Sequence, residues 1–367
     1  MKRLLSSLCV LSTASSVFAA AFTPGDLIVS RVGDGSAVLS SAATALFLDE
    51  YTPGGSLVQS VALPTAVSGS QLALTIQGTA TSEGFLQLSA NGQYLTLAGY
   101  NAAPLTATPS GSTAAVVNRT IGLVTIASGS VDTSTAINTG TLGSTRSATT
   151  ANGTGFWVST ASAGVNYIAY GAPAAATQLS TTPSNTRVTR DIGGQIYVSS
   201  ASGAFQGVST IGTGLPTTSG QTTTLLPGFP TATGPSPYDF FVSGNNAWVA
   251  DDRTTGVGGL QKWTLSAGTW TLQYTINRTG AGDRGLFADL SSGTPTFYVT
   301  TTDNKVDEIV DGGTLATSID TTLFSDPTGN TAFRGIVGLA PITVPEPSTA
   351  ALVGLGLMAL GIIRRRK

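Results

Sequence analysis

A short aromatic strand recurs along the chain. It reads GQYLTLAG around Tyr94, GFWVST around Trp157, QIYVSS around Tyr197, NAWVAD around Trp248 and TFYVTT around Tyr298. A short distance ahead of each lies another β-rich run: SEGFLQLS at Ser82, TRSATT at Thr145, NTRVTR at Asn185, PYDFFVS at Pro237 and DRGLFADL at Asp283. A sixth opening run, FRGIVGLA at Phe333, has no aromatic partner after it. Gly, Ser and Thr dominate the connections and no stretch sustains a period of 3.6, so the chain reads as all-β with many short strands.

Taking Glu83, Arg146, Arg187, Tyr238, Arg284 and Arg334 as the openings gives spacings of 63, 41, 51, 46 and 50 residues. These bracket a four-stranded propeller blade, with one long insertion in the first unit. The outer strands can also be located, as GLQKWTLS and TWTLQYTI in the fourth unit and NKVDEIV and TLATSIDT in the fifth. The N-terminal runs DLIVSRVG, ATALFLDEY and SLVQSVALP supply the partners that FRGIVGLA lacks. A ring closed by strands from both termini leaves no open sheet edge. The expected fold is therefore a six-bladed β-propeller spanning residues 20–341. Seven blades is the main competitor, because the 63-residue unit has room for extra strands. A β-solenoid needs a much shorter repeat, and a pair of β-sandwiches needs a linker-like break that is absent from the middle of the chain.

Both ends read as targeting segments. Residues 1–19 carry Lys2 and Arg3, an apolar stretch from Leu4 to Val10, and small residues up to Ala19. That is the layout of a secretory signal peptide. At the other end, residues 342–347 form a linker containing Pro345, Glu346 and Pro347, followed by an uncharged run at 348–363 and then Arg364, Arg365, Arg366 and Lys367. As a helix the uncharged run reaches roughly 24 Å, a little short of a hydrocarbon core of roughly 30 Å. It is expected to be a marginal transmembrane helix, with the cationic tail (364–367) held on the cytoplasmic side. Proline at 345 and 347 stops the helix from extending upstream.

The Pro345-Glu346-Pro347 triplet, the Gly-rich apolar run and the closing basic cluster together resemble the PEP-CTERM sorting signal of Gram-negative bacteria. The resemblance implies recognition by a membrane protease-transpeptidase, an exosortase, and a host that makes extracellular polysaccharide. It covers only the tail and implies nothing about the chemistry of the body.

Composition narrows that chemistry. The chain has no histidine, and its one cysteine, Cys9, lies in the signal segment. Ser-His-Asp and Cys-His arrangements, histidine zinc sites and disulfides in the exported body are thereby excluded. Between Ala20 and Pro345 there are eleven basic and eighteen acidic residues. This acidic balance argues against nucleic acid as a partner.

Two candidate sites remain. In four of the six units the opening strand begins with arginine, at Arg146, Arg187, Arg284 and Arg334. Opening strands line a propeller's channel, so these residues form a ring near one mouth. Four guanidiniums there could take carboxylate or sulfate groups. The plainer reading is structural: each arginine bridges to an acid on a neighbouring blade, such as Asp239, Asp283 or Glu83. The acids Asp34, Asp251-Asp252 and Asp303-Asn304 sit in turn-like contexts and could hold a structural calcium, although turn chemistry explains them equally. No cofactor and no catalytic residue is expected. The function expected is that of an exported, non-catalytic surface or matrix protein binding polysaccharide or other surface components. An exported propeller hydrolase or lactonase with a channel metal is the alternative.

Overall fold

A computed structural model describes residues 20–339, apart from 233, 257, 278–279 and 327–328. The signal segment, the linker with Pro345, Glu346 and Pro347, the 348–363 helix and the basic tail lie outside the described residues. Among the described residues no helix is long and apolar enough to cross a membrane.

These residues form a six-bladed propeller of antiparallel sheets. The first blade is closed by both ends of the body. Its order from the axis outward is Ala332–Gly338, Leu27–Val32, Leu46–Tyr51 and Leu57–Ala62. Leu27 pairs with Gly338 and Val29 with Ile336, so the ring is locked by main-chain bonds between the two ends. Blade two holds Gln87–Leu88, Tyr94–Ala98 and Arg119–Thr125, with the short strands Val131–Asp132 and Ala136–Ile137 both paired to the last of these. The innermost strands of the other four are Thr145–Thr149, Thr189–Ile192, Pro237–Ser243 and Asp283–Asp289. Their second strands are Gly155–Thr160, Gln195–Ser202, Asn246–Asp251 and Thr296–Thr301.

The long unit opened at Glu83, which is blade two, hides no seventh blade. Its extra length is an excursion at 99–118 between two strands, in which the only regular element is a 3-10 turn at Pro109–Gly111. In the last unit a 3-10 turn at Leu315–Thr317 takes the first half of the expected outer strand, which runs instead from Ile319 to Ser325.

The recurring strand owes its sequence to its two faces. Successive side chains alternate across a strand, so an aromatic, an aliphatic and a hydroxyl residue in a row place the first and third on one face and the second on the other. Trp157 packs against Ile196 and Val198 of the next blade, whereas Val158 joins Leu123 and Ile137 of the preceding one. Trp248 and Val249 divide in the same way, as do Tyr298 and Val299. Each junction between blades thus holds its own apolar cluster. Full burial of one such aliphatic side chain contributes about 1.5–3 kcal/mol.

The third residue is a clamp. Ser30 Oγ donates to the Gly84 carbonyl of the next blade at 2.6 Å, and Thr300 Oγ1 to the Arg334 carbonyl at 2.6 Å. Thr96 Oγ1 reaches the Ala148 carbonyl at 2.7 Å, and Ser159 and Ser199 donate to the carbonyls of Arg187 and Tyr238. Several of these hydroxyls also accept from their own inner strand, as in Gly335 N–H to Ser30 Oγ at 2.8 Å and Gly285 N–H to Thr300 Oγ1 at 2.8 Å. The inner strands run so close that a Cβ on Gly335 would lie 2.1 Å from the Leu86 nitrogen.

Blade five breaks the rule, because Ala250 stands where the hydroxyl should be. Its junction is held by Asp239 instead. That buried carboxylate accepts from Arg190 Nε at 2.7 Å, from Arg190 Nη2 at 2.8 Å and from the Leu286 N–H of blade six at 3.1 Å. Arg190 Nη2 also donates to the Leu286 carbonyl at 2.6 Å, so one ion pair ties blades four, five and six together.

Candidate functional site

The inner strands begin at the same end of the channel, and the positions that open them form a ring. The clamp carbonyls give its register: Gly84, Arg187, Tyr238 and Arg334 each accept a hydroxyl, and the Arg146 carbonyl accepts the Phe85 N–H at 3.2 Å. In blade two the position equivalent to arginine is therefore Gly84, one residue beyond the expected Glu83. Arg146 and Arg284 are second in their strands, and Arg334 is third in its own. Arg187 stands two residues ahead of its strand, which begins at Thr189.

The centre of the ring is aromatic. Tyr238 of blade five meets Phe85 of blade two across the channel, with centroids 5.5 Å apart. The Tyr238 hydroxyl lies 3.3 Å from Thr81 Oγ1, which brings the 78–82 loop over the same mouth. The Arg187 guanidinium stands 4.0 Å from the Tyr238 ring centroid and that of Arg284 5.8 Å. One tyrosine is thus flanked by cations from both neighbouring blades, an attractive arrangement for its π-face.

The arginines do bridge blades, but mostly through neutral oxygens. Arg146 Nη1 donates to Asn185 Oδ1 at 2.5 Å and to the Thr186 carbonyl at 2.9 Å, both in the segment leading into blade four. Arg187 Nη1 makes the equivalent contacts one blade on, to Ser236 Oγ at 3.0 Å and the Pro237 carbonyl at 2.8 Å. Arg334, buried, donates to the carbonyls of Gly78 at 2.9 Å and Phe333 at 3.2 Å. Among the described residues only Arg284 of the ring meets a carboxylate, Asp252 at 3.5 Å. Of the three acids expected as partners, Asp239 is taken by Arg190, and none forms an ion pair with a ring arginine among the described residues.

The electrostatics follow from this. Burial, and then the neighbouring Arg187, push the Arg146 guanidinium down to about 10; burial, and then Arg284, do the same to Arg334. Both stay charged at neutral pH, and each is in a place that disfavours its charge. The Nε atoms of Arg146 and Arg334 are buried without a hydrogen-bond partner. Nearby, Glu83 is wholly buried and accepts from the Gln77 N–H at 2.9 Å and the Tyr100 hydroxyl at 2.6 Å. Burial raises its carboxyl above the usual range despite these bonds and the Arg334 charge.

Other candidates are not assembled. Asp251 is occupied by Arg253, Gln261 and the Ser236 N–H, Asp303 pairs with Lys305 at 3.0 Å, and Asp34 receives the Ser36 N–H and hydroxyl. Among the described residues no three His, Cys, Asp or Glu side chains are grouped so as to hold a metal ion.

Sequence reasoning missed Arg119. It is fully buried, lies 5.0 Å over the Tyr100 ring, and donates to the carbonyls of Val117 at 2.5 Å, Ser112 at 2.6 Å and Gly143 at 3.1 Å. It anchors the 99–118 excursion to blade three.

Residues 343–367 match the PEP-CTERM protein-sorting motif. That motif marks the chain for export and for exosortase-linked sorting at the membrane toward the cell surface. No curated protein matches the chain. Among solved structures, the periplasmic gluconolactonase of Pseudomonas aeruginosa is similar at 12% identity, covering 84% of this chain and 81% of that one, with a TM-score of 0.45. The β-propeller domain of a Myceliophteria thermophila protein is similar at 10% identity, covering 84% and 89%, with a TM-score of 0.43. TolB from Acinetobacter baumannii is similar at 9% identity, covering 87% and 69%, with a TM-score of 0.39. Likeness at this level carries no activity across to this chain.

Proposed function

We propose that this chain is an exported, surface-directed binding protein, non-catalytic, whose arginine mouth takes anionic groups of extracellular polysaccharide. The observation that supports this reading is the charge imbalance in the ring. Arg146, Arg187 and Arg334 donate only to carbonyl, amide and hydroxyl oxygens; at Arg146 and Arg334 burial and the neighbouring arginines disfavour the charge more than the nearby Glu83 carboxylate favours it. A carboxylate or sulfate group brought to the mouth relieves that repulsion and accepts hydrogen bonds bidentately. Arg187 and Arg284, part-exposed on either side of Tyr238, are the pair an incoming group meets first. An acidic body keeps such binding local to the mouth.

The test is binding of the full-length chain, in detergent, to polyuronate and to polysaccharide extracted from the source bacterium, across a salt series. Binding that weakens with salt, and falls at least tenfold in an Arg187→Gln, Arg284→Gln double variant, agrees with the proposal. Equal binding by the double variant overturns it. A lactonase-type enzyme would instead carry stoichiometric calcium and open lactones, and both assays run on the same preparation.

A further inference from the structure

A second site lies on the face away from the arginine mouth. The hairpin that follows the far end of the Thr145–Thr149 strand faces the end of blade two across an open groove of about 590 Å³. Tyr94, Thr125, Asp132, Asn152, Thr154 and Tyr170 line it, and none of the lining residues is basic. From these residues we infer that the groove binds a neutral sugar unit, with the Tyr170 ring as stacking platform and Asp132 and Asn152 as the groups that read its hydroxyls.

Three features carry this. The first is that Tyr170 is 47% exposed, a costly place for an aromatic ring, yet it is fixed there because its hydroxyl donates to Asp132 Oδ2 at 2.8 Å. A fixed, exposed ring offers an apolar surface to the C–H face of a pyranose with little ordering left to lose on binding. The second is that the groove wall is shaped around the other tyrosine. Gly153 has φ +86°, and a Cβ there would lie 3.1 Å from the Tyr94 ring, so the hairpin rests flat against it. The third is that the polar groups are pre-set. Asn152 Oδ1 accepts from Thr154 N–H at 3.2 Å and Thr154 Oγ1 at 2.7 Å, which orients its amide N–H donors. Asp132 Oδ1 accepts from the Ser134 N–H at 2.8 Å and hydroxyl at 2.7 Å. Burial opposes its charge, but these bonds and that of Tyr170 outweigh it and hold the carboxyl below the usual range. A planar carboxylate acceptor and an amide donor at one edge suit adjacent sugar hydroxyls. The same carboxylate, with no cation beside it, disfavours an acidic sugar.

The site uses none of the ring arginines and stands or falls apart from them. The full-length chain in detergent is titrated with neutral gluco-, manno-, galacto- and xylo-configured tetrasaccharides, followed by saturation-transfer NMR and calorimetry. At least one is expected to bind, with affinity at least tenfold lower in Tyr170→Ala and in Asn152→Ala, intermediate in Tyr170→Phe, which keeps the ring but loses the bond that fixes it, and unchanged in the Arg187→Gln, Arg284→Gln variant. Both Tyr170 and Asn152 are exposed, so thermal unfolding of their variants should match the parent, which separates lost binding from lost fold. Failure of all four sugars to bind, or undiminished binding by Tyr170→Ala, overturns the inference.

Discussion

Replacing Arg190 with methionine isolates the one junction that is not closed by a hydroxyl. Asp239 is wholly buried, and Arg190 is its bidentate partner at 2.7 and 2.8 Å. Removing one member of a buried pair leaves the other charge uncompensated, at about 3–5 kcal/mol. Losing the bond to the Leu286 carbonyl falls within that figure, since the two contacts share one guanidinium. A hydroxyl clamp is a smaller thing: Ser199→Ala leaves the Tyr238 carbonyl and the Val188 N–H short of a partner, at about 1–3 kcal/mol. At about 2 °C per kcal/mol for a domain of this size, the melting temperature falls by about 8 °C in Arg190→Met and about 4 °C in Ser199→Ala. Thermal unfolding of the full-length chain measures these shifts and equilibrium urea unfolding the free energies behind them, and an Arg190→Met, Asp239→Asn double variant should recover part of the loss. An Arg190→Met chain within about 1 kcal/mol of the parent would refute the view that this ion pair replaces the missing clamp.

Two further outcomes follow from buried charge. Burial raises the Glu83 carboxyl above its ordinary value, so its protonated form favours the native state and the associated stability is lost as pH rises past that ordinary value toward neutrality. Glu83→Gln should therefore flatten the pH dependence of the urea midpoint above the ordinary carboxylate range, and an identical slope in parent and variant counts against it. In Arg119→Met the carbonyls of Ser112 and Val117 lose their donor, so limited proteolysis should open a new cut within residues 103–117 while the blades stay resistant; an unchanged digest contradicts the anchoring role.

Much of the fold was legible because each recurring strand carries information on both faces. Trp157, Val158 and Ser159 are distinguishable as residue types, and so are their equivalents at Tyr197, Tyr298 and Tyr94. The aromatic half of that signal located the blades, and FRGIVGLA without a partner pointed to closure by the N-terminus. The hydroxyl half went unread, and with it the one clue to Arg190: Ala250 in place of serine or threonine signals that another polar group, Asp239, must hold the junction. The ring arginines were visible as a repeat, but repeat position could not say whether their partners are carboxylates. That depends on which oxygens lie at the end of each side chain, and in three cases they belong to the segment leading into the next blade. Register slipped by one at Glu83 because blade two opens with a two-residue strand, Gln87–Leu88, too short to fix alternation. Arg119 was invisible because it is surrounded by carbonyls from a loop, and carbonyls leave no trace in a sequence.

Whether the guanidiniums at the channel mouth form an anion site is decided by crystals of the protein grown with selenate. Anomalous scattering then marks each bound tetrahedral anion. A selenium peak is expected beside Tyr238, within hydrogen-bond reach of Arg187 and Arg284, and is expected to disappear in the Arg187→Gln, Arg284→Gln variant. Selenate found only on outer surfaces, with the mouth empty at saturating concentration, would contradict it.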